Sequence, residues 1–107
     1  MWQTDFYTST SGKSPVIEFI RDLQKIEKAK ITNCIDLLTN HGPNLHEPHS
    51  KKLSGYKNLF ELRTSGNSPI RLIYYQVGQK YIILHGFIKK TNKTPRKEIQ
   101  TALNRIS

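Results

Sequence analysis

Near the middle of this chain the spacing of apolar residues changes from a helical to a strand period, and that change restricts the folds open to it. Val16, Ile20 and Leu23 recur at helical spacing behind Ser14-Pro15, a helix-start pair in which Ser can cap free N–H groups and Pro fits the first turn. Ile31, Ile35 and Leu38 repeat the pattern, which stops at His41-Gly42-Pro43, a helix-end signature. Two helices, or one bent helix, are expected across 14–41, followed by a loop over 43–50. From Leu59 the period is two: Leu59-Phe60-Glu61-Leu62-Arg63 alternates, Ser65-Gly66-Asn67-Ser68 is a turn, and Ile70 to Val77 is rich in Ile and Tyr. Gly78-Gln79 is a hairpin turn, and Tyr81 to Ile88 is the most apolar run. A short strand within 2–8 precedes the helices. A last helix opens at Thr94-Pro95, with Ile99, Ala102, Leu103 and Ile106 on one stripe. The expected fold is α+β, ordered β-α-α-β-β-β-α, with a small antiparallel sheet and the helices packed on one face. At 107 residues the chain makes one domain, 1–107.

Charge divides the chain at nearly the same place. Residues 1–50 carry five Lys/Arg and six Asp/Glu, a net of −1, whereas 51–107 carry twelve Lys/Arg and two acids, Glu61 and Glu98, a net of +10. A sheet with a field of one sign gains nothing in stability from it, because neighbouring like charges repel; such a sheet suits a polyanion. Cys34 is alone, so no intramolecular disulfide forms, and no Cys/His spacing typical of a metal site occurs. His41, His46 and His49 with Glu47 lie in a Pro-rich loop without ligand spacing. The first residues lack the basic and apolar regions of a signal peptide, and no apolar run approaches a membrane span. A cytoplasmic protein without membrane contact, metal or cofactor is expected.

The chemistry-bearing residues cluster by topology. If the 65–68 turn is centred on Asn67, Arg63 and Arg71 sit opposite one another across the ladder, a costly arrangement unless an anion lies between them. Lys89-Lys90 falls where the third strand of the meander leaves the sheet, at the same edge, with Lys93 and Arg96 beyond. Arginines bind a phosphoryl group bidentately and stabilise the charge of its transition state. The titratable groups at hand are Glu61, His85 and a lysine perturbed by its cationic neighbours; Glu61 could equally pair with Arg63 or Lys57, and His85 could be a core residue. Tyr56, Tyr74, Tyr75 and Phe87 are candidates for stacking on bases, the strand tyrosines equally for the core.

Several segments together carry a resemblance. They are Lys52-Leu53-Ser54-Gly55, Leu59 to Arg63, Ile70-Arg71-Leu72-Ile73-Tyr74, Leu84-His85-Gly86-Phe87-Ile88-Lys89-Lys90-Thr91, and Thr94-Pro95. The chain resembles, over essentially its whole length, the toxins of type II toxin–antitoxin modules in the RelE/ParE superfamily, and among them the HigB-like, phage-derived branch. The resemblance implies a RelE-like fold, metal-free cleavage of mRNA in the ribosomal A site by attack of the 2′-hydroxyl, and neutralisation by a cognate antitoxin, expected to be a helix-turn-helix protein. It implies catalytic roles for Arg71, Arg63 and Lys90, with Lys89 beside it, and makes Arg71 the main phosphate ligand; the residues themselves add Glu61 as a further catalytic candidate and Lys52, Lys57, Lys93, Arg96 and Phe87 as RNA contacts. Two departures leave the acid–base pair open: RelE-type toxins carry lysines where this chain has Leu59 and Glu61, and their C-terminal tyrosine is unmatched, with Arg96 near its place. Two other readings stay open, a ParE-like toxin that binds DNA gyrase without chemistry and a basic RNA- or ribosome-binding module.

Overall fold

The structure, a computed structural model, describes residues 2–106; Met1 and Ser107, the two ends of the expected domain, lie outside them. The chain runs β1 (Gln3–Phe6), α1 (Pro15–Arg21), α2 (Lys25–His41), a 3₁₀ turn (Gly42–Asn44), β2 (Ser50–Lys52), β3 (Leu59–Arg63), β4 (Ile70–Val77), β5 (Lys80–Ile88) and α3 (Arg96–Leu103). The α+β class is as expected. The strands form one five-stranded sheet in the order β1-β5-β4-β3-β2. Four of them are antiparallel to their neighbours, but β1 runs parallel to β5, with Thr4 opposite Tyr81 and Phe6 opposite Ile83. The sheet is therefore mixed, because the helical segment between β1 and the meander acts as a crossover that returns the chain to the far edge.

The two helical segments expected across 14–41 are separate, and α1 closes where the Asp22 backbone N–H donates to the Glu18 carbonyl and that of Leu23 to the Ile20 carbonyl. Ser14 occupies the N-cap position with extended backbone, but its hydroxyl makes no cap hydrogen bond and is buried without a partner among the described residues. Pro15 alone carries the start signal. Gly42 ends α2 with φ +53°, and its missing side chain leaves room for the indole of Trp2 packed directly against it. The expected loop over 43–50 begins as the 3₁₀ turn and ends by entering β2, a strand that pairs Ser50 with Leu62, Lys51 with Glu61 and Lys52 with Phe60.

The sheet is covered on both faces, not one. Val16 of α1 and Ile31, Cys34 and Leu38 of α2 pack on Leu62, Ile70, Leu72, Tyr74 and Ile83. On the opposite face, Ile99 and Ala102 of α3 pack on Leu59, Ile73, Leu84 and Phe87, with Leu53, Leu103 and Ile106 at the margin. The stripe expected on the last helix is thus real, but it covers the face that α1 and α2 leave free. Strand β4 is buried from Ile70 to Tyr74, which explains why apolar and aromatic residues fill it on both faces around Arg71. Tyr74 stacks near Phe60 and shares a hydrogen bond with the Ser50 hydroxyl; burial pushes its phenol up to about 12. It is a core residue, not a base-stacking one. In β5 the register shifts between Ile73 and Tyr74, which pair with His85 and Ile83, so Leu84 is an inserted residue. Gly86 meets Phe19 of α1 so closely that a Cβ would stand 2.7 Å from that ring and from Leu72 Cδ2. Among the described residues, no helix is long and apolar enough to cross a membrane.

Candidate functional site

The β3–β4 turn builds the site. Thr64 closes it twice: its N–H donates to the Ile70 carbonyl (3.1 Å) and its hydroxyl accepts from the Ile70 N–H (2.8 Å). That closure sets Arg63 directly opposite Arg71 in the ladder. The anion that such a pair demands belongs to the chain itself. Glu61 Oε1 lies 3.1 Å from Arg63 Nε and 3.5 Å from Arg71 Nε, while Oε2 accepts a 2.6 Å hydrogen bond from the Thr94 hydroxyl. Glu61 is 1% exposed and Arg71 6%. A carboxylate so deeply buried persists only because it is paired and hydrogen-bonded. Burial, and then the charge of Arg63, lower the Arg71 guanidinium from its ordinary range, opposed by Glu61. Arg71 Nη1 also donates to the Thr64 and Ile70 carbonyls at 3.1 and 3.3 Å.

Two guanidiniums and one carboxylate leave one positive charge, and it faces a groove of about 500 Å³. Arg63 and Arg71 line it together with Lys89, which leaves β5 beside them, and with Lys30 from α2. Lys30 Nζ is held by the Ser65 carbonyl at 3.1 Å, fixing it against the turn. The acid on the groove wall, Glu47, is exposed and stands 3.6 Å from Arg63 Nη1. His49 also lines the groove, half-buried, with its backbone carbonyl accepting from the Arg63 N–H at 2.9 Å. Cys34 lies at the back; its thiol, pushed up by burial, donates weakly to the Arg63 carbonyl at 3.4 Å. Such an arrangement can hold a phosphoryl oxygen between arginines and offer the imidazole of His49 for proton transfer.

The structure gathers Arg63, Arg71 and Lys89 in this groove and puts Glu61 beneath them. Glu61 is not positioned as a proton acceptor, since both its oxygens are engaged; it holds the two arginines. Lys52 and Lys93 line a smaller groove of about 220 Å³, which has Glu61 on its wall and shares Arg63 with the larger one. Lys90 is exposed after β5 and lines neither groove. Lys57 lies in the turn between β2 and β3, at the opposite end of β3 from Arg63, and lines neither groove. Arg96 is the exposed first residue of α3 and also lines neither groove. Phe87 is 7% exposed, packed under α3 against His85, and offers no face to a base. His85 is not buried unpaired: its Nε2 lies 2.8 Å from Glu98 Oε1 on α3. Two groove residues were not assigned to this site from sequence: Lys30, and His49, weighed there only as a metal ligand. Lys30 lies in the half without net positive charge, and only its helical spacing with Cys34 hinted at a shared direction. Among the described residues, no cluster of three or more His, Cys, Asp or Glu side chains is placed to hold a metal ion.

A family model described as "Phage derived protein Gp49-like (DUF891)" matches residues 18–107, a span that contains every residue of both grooves. A comparison with curated proteins finds no match.

Proposed function

This chain belongs to the Gp49-like family of phage-derived proteins, and from that membership we propose that it is the toxin of a type II toxin–antitoxin module, a cytoplasmic, ribosome-dependent endoribonuclease that cleaves mRNA. The toxin-like character of the family supports the first half of this reading. One observation carries the second: a buried Arg71, opposed by Arg63 and tied to it through Glu61, opens into a groove that also holds Lys30 and Lys89. A protein that only attracted RNA would not need to bury a guanidinium. One that stabilises charge developing on phosphorus gains from donors fixed in advance in a site of low dielectric.

In the proposed reaction the RNA 2′-oxygen attacks the adjacent phosphorus and the bond from phosphorus to the 5′-oxygen breaks, leaving a 2′,3′-cyclic phosphate and a 5′-hydroxyl. Arg71 and Arg63 bind the non-bridging oxygens and meet their added charge in the transition state. His49 takes the proton of the 2′-hydroxyl, and Lys89 protonates the departing 5′-oxygen. Glu61 acts through the arginines and never touches RNA. No metal enters any of these steps. A net charge of +9 supports a partner antitoxin with acidic segments and attraction to the ribosome.

The test is to map mRNA 5′ ends after induction of wild type and Arg71→Ala in cells, and on purified mRNA with and without ribosomes. New ends that need both ribosomes and Arg71 are expected. Unchanged ends together with a DNA-damage response would favour a gyrase-binding toxin instead.

A further inference from the structure

The smaller groove differs from the larger in having an apolar floor. Leu53 and Ile99, each 8% exposed, form it with the half-buried ring of Tyr56 packed on the same cluster. Its rim is cationic: Lys51 and Lys52 stand exposed on β2 and Lys93 on the segment leading into α3. The acid on its wall, Glu61, is already committed to Arg63, Arg71 and Thr94 and presents no free charge. Arg63 lines both grooves, so a ligand phosphate bound at the arginine pair has a path directly into the second. An apolar, partly aromatic floor beneath lysines matches a molecule with a flat ring at one end and a phosphate at the other.

Building on the RNA-cleavage reading of the larger groove, the geometry points to the smaller groove as a second subsite that takes the nucleotide next to the cleaved phosphodiester, its base against Tyr56 and its phosphate at Lys52 and Lys93. The exposed amide of Asn92 stands on the wall where it can meet the edge of that base, making it the residue that reads the base. The larger groove then performs the chemistry and the smaller one sets the register of the strand. An acidic peptide would find the lysines but has no use for the floor.

The experiment is an NMR titration of the ¹⁵N-labelled protein with inorganic phosphate, then with 2′-O-methyl di- and triribonucleotides, which lack the nucleophile. Phosphate is expected to move the signals of Arg63, Thr64, Arg71 and Lys89 but not those of Tyr56 and Asn92; the oligonucleotides are expected to move those of Tyr56 and Asn92 as well. The double change Lys52→Glu with Lys93→Glu, at exposed positions that leave the core intact, should weaken trinucleotide binding about tenfold or more while phosphate binding holds. Tyr56→Leu, which keeps the floor apolar but removes the ring, should weaken trinucleotide binding while phosphate binding holds. The subsite is overturned if the trinucleotide perturbs the larger groove alone, if the double variant binds it as wild type does, or if an acidic peptide perturbs Tyr56 and RNA does not. Silence of Arg63 and Lys89 toward every ligand would instead overturn the underlying cleavage reading.

Discussion

Arg63 and Arg71 face one another across β3 and β4, and one carboxylate oxygen of Glu61 stands within 3.5 Å of the Nε of each. The pair is therefore half-neutralised in the resting protein. A bound phosphate would complete the neutralisation, not begin it.

Removing that carboxylate tests the arrangement directly. Glu61→Ala leaves a nearly buried guanidinium beside a like charge, and breaking a buried pair of this kind costs about 3–5 kcal/mol. Urea unfolding should show a loss of that order. Added phosphate should restore more stability to the variant than to wild type, since it binds where the carboxylate was.

Arg71 should be irreplaceable by lysine. Its Nη1 serves two backbone carbonyls while its Nε faces Glu61, a fork that an ammonium does not reproduce. Arg71→Lys and Arg71→Ala are both expected to slow ribosome-dependent cleavage by about 10²–10³-fold, the range for loss of one fixed donor to a developing anion. Single-turnover rates on a programmed ribosome measure this.

His49→Gln separates chemistry from binding. Loss of a general base lowers rates by about 10²–10⁴-fold. RNA affinity, measured by fluorescence anisotropy, should stay at the wild-type value. A variant equally impaired in affinity would place His49 among the binding groups.

Lys30 and Lys89 line the same groove and should count alike in salt dependence. Each change to Ala should lower the slope of log affinity against log salt by about one for RNA that reaches the groove. Lys57→Ala, at the far end of β3, should leave that slope unchanged.

Tyr74 predicts alkaline lability. Its phenol ionises near 10 when unfolded and is raised to about 12 by burial in the fold. The proton is thus held more tightly by the native state. The stability this contributes is complete below pH 10 and is lost as pH rises from there toward 12. About 2–3 kcal/mol should disappear across that window, read as a fall in the urea midpoint. Tyr74→Phe should flatten the decline.

The arginine pair was legible because turn chemistry sets register: Ser65-Gly66-Asn67-Ser68 leaves few ways to join two alternating runs, and Arg63 falls opposite Arg71 in the simplest of them. The hairpin at Gly78-Gln79 was legible for the same reason, with Val77 and Lys80 paired on either side. Strand β2 was not, since three residues of which two are lysine carry no period. Nor does the stripe on α3 say which face of the sheet it will cover; that choice is made by α1 and α2 occupying the other one. Lys30 and His49 reach the groove through tertiary packing, where local charge counts give no guidance. The role of Glu61 turned on a contact with Thr94, 33 residues away, beyond any local pattern.

The lysines of β2 have a second physical consequence. This strand is the outer margin of the sheet, and its free backbone groups would accept another extended chain if nothing opposed it. Lys51 and Lys52, the second and third of its three residues, oppose it by repelling a second copy of the same basic edge. Self-association and attraction for a polyanion are thus controlled by the same two side chains. Replacing both with apolar residues should yield a protein that precipitates while still folded, so charge-reversing substitutions are the ones that keep the edge guarded.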